Sequence, residues 1–183
     1  QITALKGRYS LLTIGLTSPE VEGVDFMPVQ VPRKGFKKLI LAMLLLLRCY
    51  RAAYWWIYTP ALKALRDLSF EDTSLIISND IDTLPVALRI KGENTKVLFD
   101  AHEFSPRQFE DRWLWRLFFQ RYASFLCQHY MPRADKTVTV TNALAREYES
   151  YCNLTSVGTI TNACPFYPEI SPSAVRDNRI TLF

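Results

Sequence analysis

The stretch KVLFDAHEFSPR, Lys96 to Arg107, decides how the chain is read. Val97-Leu98-Phe99 is an unbroken apolar run, and it ends at once in Asp100, His102 and Glu103. A continuous run, unlike an alternating one, describes a strand covered on both faces, as in a parallel sheet. The ionisable residues then fall at the carboxyl end of that strand, where open parallel sheets bind their ligands. The chain has two histidines, and one of them stands here between two acids.

Working outward, the same pattern repeats. SLIISND (Ser74–Asp80), KTVTVTN (Lys136–Asn142) and VGTITNA (Val157–Ala163) read as further strands. Between them lie helical stretches: TLPVALRIKG (Thr83–Gly92), closed by Gly92; Glu110–Met131, stopped by Pro132; and Ala143–Cys152. Upstream, LLTIGL (Leu11–Leu16) is a short strand after a helical opening, with a minor strand near Val24–Val29. A long helical stretch spans Arg33 to Leu68, with Pro60 expected to break or kink it. Strand and helix alternate, so the expected fold is α/β: a Rossmann-like parallel sheet with helices on both faces. The strands Ser74–Asn79, Lys96–Asp100, Thr137–Thr141 and Thr159–Thr161 are expected to be neighbours.

At 183 residues, 49% apolar and with a formal charge of +4, the composition is that of a globular domain. The domain is expected to cover residues 1–163, its first strand lying outside this stretch. Residues 164–178, rich in proline, read as a linker. Residues 179–183 read as the start of a second domain. Cys49, Cys127, Cys152 and Cys164 form no C-x-x-C pair and are read as reduced thiols. The sequon at Asn153 is ordinary for chance. The longest apolar run, Leu39–Leu47, is far short of the ~20 residues a spanning helix needs.

Three strand ends are polar: Asn79-Asp80, Asp100 to Glu103, and Thr141-Asn142. Together they would form one wall of a cleft. A plainer reading competes, since Asp80 or Asp82 could cap the helix at Leu84 and Asn142 the helix at Ala143. Imidazole is an indifferent cap, so His102 stands as the functional candidate, with a satisfied core histidine as its alternative. No metal-ligand spacing, glycine-rich phosphate loop or serine-hydrolase elbow occurs.

Charge is placed unevenly. Between Met27 and Arg66 there are eight cations and no Asp or Glu. Arg33, Lys34, Lys37, Lys38, Arg48 and Arg51 border an apolar run, with Trp55 and Trp56 beside them. Such a mixture fits a helix lying on an anionic membrane surface, or a core helix with a basic solvent face. Nucleic acid is not expected, because the cations flank an apolar run instead of forming a stripe. The aromatic helix carrying Trp113, Trp115, Phe118 and Phe119 reads as core packed on the sheet, with Arg112 and Arg116 on its exposed face.

In order, SLIISNDIDTLPVALRIK, KVLFDAHEFSP, RADKTVTVTNALAREY and VGTITNACPF resemble the N-terminal half of retaining glycosyltransferases of family 4. The resemblance covers roughly Ser74 to Phe166. It implies half of a GT-B fold, two Rossmann-like domains facing across a cleft. It further implies an acceptor-binding domain here and a nucleotide-sugar donor bound by a second, C-terminal domain. His102 would then act near the transferred sugar, oriented by Asp100 and Glu103, with Asn79, Asp80 and Asn142 on the acceptor side. The acceptor would be a glycan or a lipid-linked glycan, and the protein cytoplasmic, peripheral on the inner face of the membrane. No cofactor is expected in this half, which alone would be inactive. The family's glycine-rich loop after the first strand has no counterpart. The rival readings are a stand-alone Rossmann-like binding module and a GT-B-shaped hydrolase or epimerase.

Overall fold

The computed structural model describes residues 2–30, 37–162 and 168. The expected linker 164–178, apart from residue 168, and the expected second-domain start at 179–183 lie outside the described residues, as do Arg33 and Lys34. The chain is α/β. A short helix α1 (Ile2–Leu5) precedes strands β1 (Leu12–Gly15) and β2 (Asp25–Pro28), which pair in parallel as a small sheet of their own. The main sheet has four parallel strands in the order β3 (Leu75–Asn79), β4 (Lys96–Ala101), β5 (Lys136–Thr139) and β6 (Gly158–Thr159). Sequence order and spatial order coincide. The last strand is shorter than the stretch Val157–Ala163 implies: among the described residues Gly158 and Thr159 pair in register with β5, and the Ile160 amide adds one bond to the Thr139 carbonyl at 2.8 Å.

Helices flank this sheet. Val97 and Phe99 of β4 are fully buried against Leu84 of α4 (Leu84–Ile90), Leu126 of α6 (Arg121–Tyr130) and Tyr148 of α7 (Asn142–Cys152). Each such side chain contributes roughly 1.5–3 kcal/mol by leaving water. Leu98 and Asp100 stand on the opposite side of β4, since strand residues alternate. Asp100 is in register with Asn79 of β3 and Val138 of β5.

Three helix boundaries differ from expectation. The long basic stretch is two helices, α2 (Lys37–Leu46) and α3 (Tyr50–Ala64). The break is at Arg48, whose φ of 57° is left-handed. Its neighbour Cys49 donates its amide to the Leu44 carbonyl at 2.8 Å, a helix-ending turn normally given to glycine. Pro60 sits inside α3 without ending it. It removes one helical hydrogen bond, but Tyr54 and Ala61 are buried on either side and hold the helix in place.

Gly92 does not close α4 through a left-handed turn. A side chain there would meet the Phe70 carbonyl at 2.9 Å, so glycine is needed for close approach. The aromatic helix starts at Trp113, three residues later than expected. It runs as α5 (Trp113–Trp115), a π turn (Arg116–Gln120) and α6, then a 3-10 turn over Met131–Arg133 that contains Pro132. No helix among the described residues is long and apolar enough to cross a membrane.

Asp135 clamps β4 to β5 at the amino edge of the sheet. Its amide donates to the Val97 carbonyl at 3.0 Å, and the Val97 amide returns a bond to its carboxylate at 2.9 Å. Lys96 adds a third contact at 3.0 Å. These bonds, the Val97 amide first, hold the Asp135 carboxyl below the usual carboxylate range. A depressed folded-state pKa stabilises the fold above the unfolded value and loses that stability as pH falls through the folded one. Asp135→Asn is expected to cost about 1–2 kcal/mol at pH 7, reduced from the charge-assisted range by partial solvent exposure. Urea melts should show that difference shrinking towards pH 3.

Candidate functional site

The carboxyl ends of the four main strands make a single ledge. β4 stays buried through Ala101 and emerges at His102, which is 37% exposed at its side chain. His102 Nε2 lies 3.5 Å from the Asp100 carboxylate, itself largely buried. That separation is at the long limit of a hydrogen bond and within ion-pair reach of a protonated imidazole. With Nε2 facing the acid, Nδ1 is the atom left to meet a ligand.

Three bonds fix the backbone under this pair. The buried Thr139 hydroxyl donates to the Ala101 carbonyl at 2.6 Å. The Tyr148 hydroxyl donates to the Glu103 carbonyl and accepts the Ser105 amide at 3.0 Å. Phe104 packs on the Tyr148 ring at 5.0 Å. The loop that carries His102 is therefore tied to β5 on one side and α7 on the other. Glu103 is exposed and is positioned by its main chain, so Asp100 is the acid beside the imidazole.

Asn79 and Asp80 end β3 and are exposed. Asp80 has a left-handed φ of 65°. Neither Asp80 nor Asp82 caps α4; Thr83 occupies the cap position, and its hydroxyl reaches back to the Asn79 and Asp80 carbonyls at 2.5 and 3.0 Å. With its proton so engaged, Thr83 accepts from Ser78 at 2.7 Å. Asn142 does not cap α7 either. Thr141 accepts the Leu144 amide at 3.2 Å, and the Asn142 side chain instead accepts from Thr159 of β6 at 2.9 Å.

Strand spacing sets the reach of the ledge. Asn79 adjoins Asp100 by register, whereas Asn142 lies beside β6, three strands from β3. At ~4.8 Å per strand that is about 14 Å, so one monosaccharide ring cannot touch both ends. The structure thus joins Asn79, Asp100 and His102 and sets Asn142 apart.

Sequence reasoning missed Thr139, Tyr148 and Thr83. Tyr148 shares a helical stripe with Ala145 and Cys152, which announces burial, but its hydroxyl partners are more than forty residues away. A second cluster lies behind β3: the Tyr54 hydroxyl donates to the Asp82 carbonyl at 2.7 Å, and Tyr58 hydrogen-bonds the Asp82 carboxyl. Surrounding protein, then the Asp80 charge, raises the Asp82 carboxyl above its ordinary value, and the Tyr58 hydrogen bond opposes that rise. Burial likewise pushes the Cys152 thiol up to about 12, so it is a packing group and not a nucleophile. Among the described residues no group of three or more His, Cys, Asp or Glu could hold a metal ion.

Of the cations and aromatics expected at a membrane, Lys38, Arg48, Arg51 and Trp56 are exposed, and Lys37 begins α2. Trp55 instead packs against the core, edge-on to Tyr54 at 4.8 Å. The aromatic helix departs from expectation in the opposite sense. Its first half is not core: Trp113 is 65% exposed, and Leu114 and Leu117 are each 53% exposed. Six of the seven residues Trp113–Phe119 are apolar, and only one side has protein beneath it. Against known proteins, the chain matches no family model, no curated protein and no solved structure.

Proposed function

We propose that this chain is the acceptor-side half of a retaining glycosyltransferase that moves a sugar from a nucleotide-sugar donor to a lipid-linked or other glycan acceptor. The observation that carries this reading is the Asp100–His102 pair, a buried carboxylate beside a half-open imidazole at the carboxyl end of a parallel strand. Glycosyl transfer passes through an oxocarbenium-like state, with negative charge developing on the departing phosphate. A group that orients a hydroxyl without competing as a nucleophile suits that chemistry. His102, held by Asp100, positions a hydroxyl of the sugar or acceptor. Asn79 and Asp80 hold the acceptor nearby, and Asn142 contacts a more distant unit of it. No residue is assigned as a covalent nucleophile.

The reading needs a donor-binding half elsewhere in the same protein. The test is a transfer assay on the full-length protein, using labelled UDP- and GDP-sugars with polyprenyl-linked acceptors and magnetic resonance to read the anomer formed. Transfer with retention is expected. Release of free sugar without transfer would make the protein a hydrolase. By calorimetry, this chain alone should bind neither donor, and micromolar affinity for one would sink the division of labour between the two halves.

A further inference from the structure

A cavity of about 420 Å³, within the range of small-molecule sites, lies on the amino side of the main sheet. The carboxyl ends of α3 and α4 and the chain between α3 and β3 line it. These helices lead into the amino ends of β3 and β4, so the cavity stands at the other end of α4 from Asp80. One wall is firmly held. The buried Thr95 hydroxyl donates to the Phe70 carbonyl at 3.1 Å and accepts the Gly92 amide at 3.1 Å.

The lining combines two kinds of side chain. Leu65 and Phe70 are buried, and Leu62, Leu68 and Ile90 are half-buried, so an occupant meets hydrocarbon. The charged members are Lys63, Arg66 and Arg89, all exposed, and no acid among the described residues lines the cavity. Of the acids next in sequence, Asp67 stands outside the lining, and the Glu71 carboxylate lies beside Gly92. The ion pairs of the described residues engage Lys91, Lys96, His102 and Arg107 instead.

Cations at helix ends commonly serve the last carbonyls. Here backbone amides already reach them: Leu65 donates to the Ala61 and Lys63 carbonyls, and Lys91 to the Ala87 carbonyl. Thr59, the neutral polar residue of the lining, gives its proton to the Trp55 carbonyl at 2.5 Å. The side-chain donors that the lining leaves to a ligand are therefore one ammonium and two guanidinium groups, which favour carboxylate and phosphate oxygens. A polyhydroxylated sugar would lose hydrogen bonds against the five apolar side chains, whereas an apolar body gains by leaving water.

We infer that this cavity binds a small amphipathic anion, a compact apolar body with a carboxylate or phosphate head, at a site separate from the strand-end ledge. The site uses no sugar chemistry, so its test and the transfer assay fail independently.

The experiment is titration calorimetry of this chain with acetate, octanoate, octyl phosphate and octanol. Octanoate and octyl phosphate are expected to bind one per chain, each about ten-fold or more tighter than octanol. Octanoate should exceed acetate by about ten-fold or more, since each methylene that leaves water adds a factor of about two to four. The tighter of the two octyl anions shows whether the cations take a carboxylate or a phosphate. Arg66→Glu with Arg89→Glu should weaken both anions about ten-fold or more, with the thermal melt unchanged because both side chains are exposed. Lys63→Gln is the milder second variant and should weaken them about three-fold. Octanol or acetate binding as tightly as octanoate would overturn the inference. So would undiminished affinity in both variants, or failure of both octyl anions to bind.

Discussion

Under the proposed transferase reading, replacing His102 by alanine in the full-length protein is expected to lower turnover about 10- to 1,000-fold while leaving the fold nearly intact. The stability half follows from exposure. The side chain is 37% open, and trimming a polar group so placed usually changes stability by under ~0.5 kcal/mol. The backbone around it is held by Thr139 and Tyr148, whose bonds go to the Ala101 and Glu103 carbonyls and the Ser105 amide, not to the imidazole. The rate half follows from position: a hydrogen bond made mainly in the transition state is lost from kcat and from kcat/KM alike. Asp100→Asn should have a smaller effect on kcat, because it keeps the shape beside Nε2 and removes the charge. A histidine serving only the fold would give the opposite pattern, with melting lowered and activity falling only in proportion to folded protein. Melts and rates measured on one preparation separate the two, and a stable variant with unchanged turnover would end the role assigned to His102.

Tyr148→Ala is the substitution with the largest expected effect on stability, about 3–5 kcal/mol. The side chain is fully buried and faces Phe104 at 5.0 Å, so its removal leaves a cavity beneath the loop that follows β4. Tyr148→Phe isolates the hydroxyl. It leaves the Glu103 carbonyl and the Ser105 amide without that partner, at a cost of about 1–3 kcal/mol. Burial holds the Tyr148 hydroxyl protonated well above neutrality, so this cost should not vary between pH 6 and about 9. Urea melts give both magnitudes, and hydrogen exchange at the Ser105 amide reports the local opening. An unchanged exchange rate in the phenylalanine variant would remove Tyr148 from its place as the tether of the His102 loop.

Much of the main sheet was legible because it is written in local signals. Four apolar runs separated by helical stretches become four adjacent parallel strands, and the polar residues at their ends fall on the carboxyl edge, as alternation of strand and helix requires. The errors concentrate where local signals carry no information about neighbours. Arg48 breaks a helix without glycine or proline, while Pro60, the strongest local breaker, is carried within one. Asparagine and aspartate at strand ends invited the role of cap, yet threonines 83 and 141 occupy the cap positions.

The site divides along the same line. Placing Asp100 and His102 at a strand end needs only the run Val97-Leu98-Phe99 and the residues after it, because a strand's direction and alternation are properties of consecutive residues. Joining Asn79 to Asp100 while setting Asn142 about three strand spacings away is a matter of sheet order, which no run of residues encodes. The apolar helix faces show this most clearly. Trp113, Leu114 and Leu117 have the hydrophobicity of a core, and hydrophobicity is all that the sequence determines about them. Whether they are buried depends on which elements pack over them, and the tertiary structure leaves Trp113, Leu114 and Leu117 exposed while α2 packs against the adjoining π turn and Phe118 meets the core.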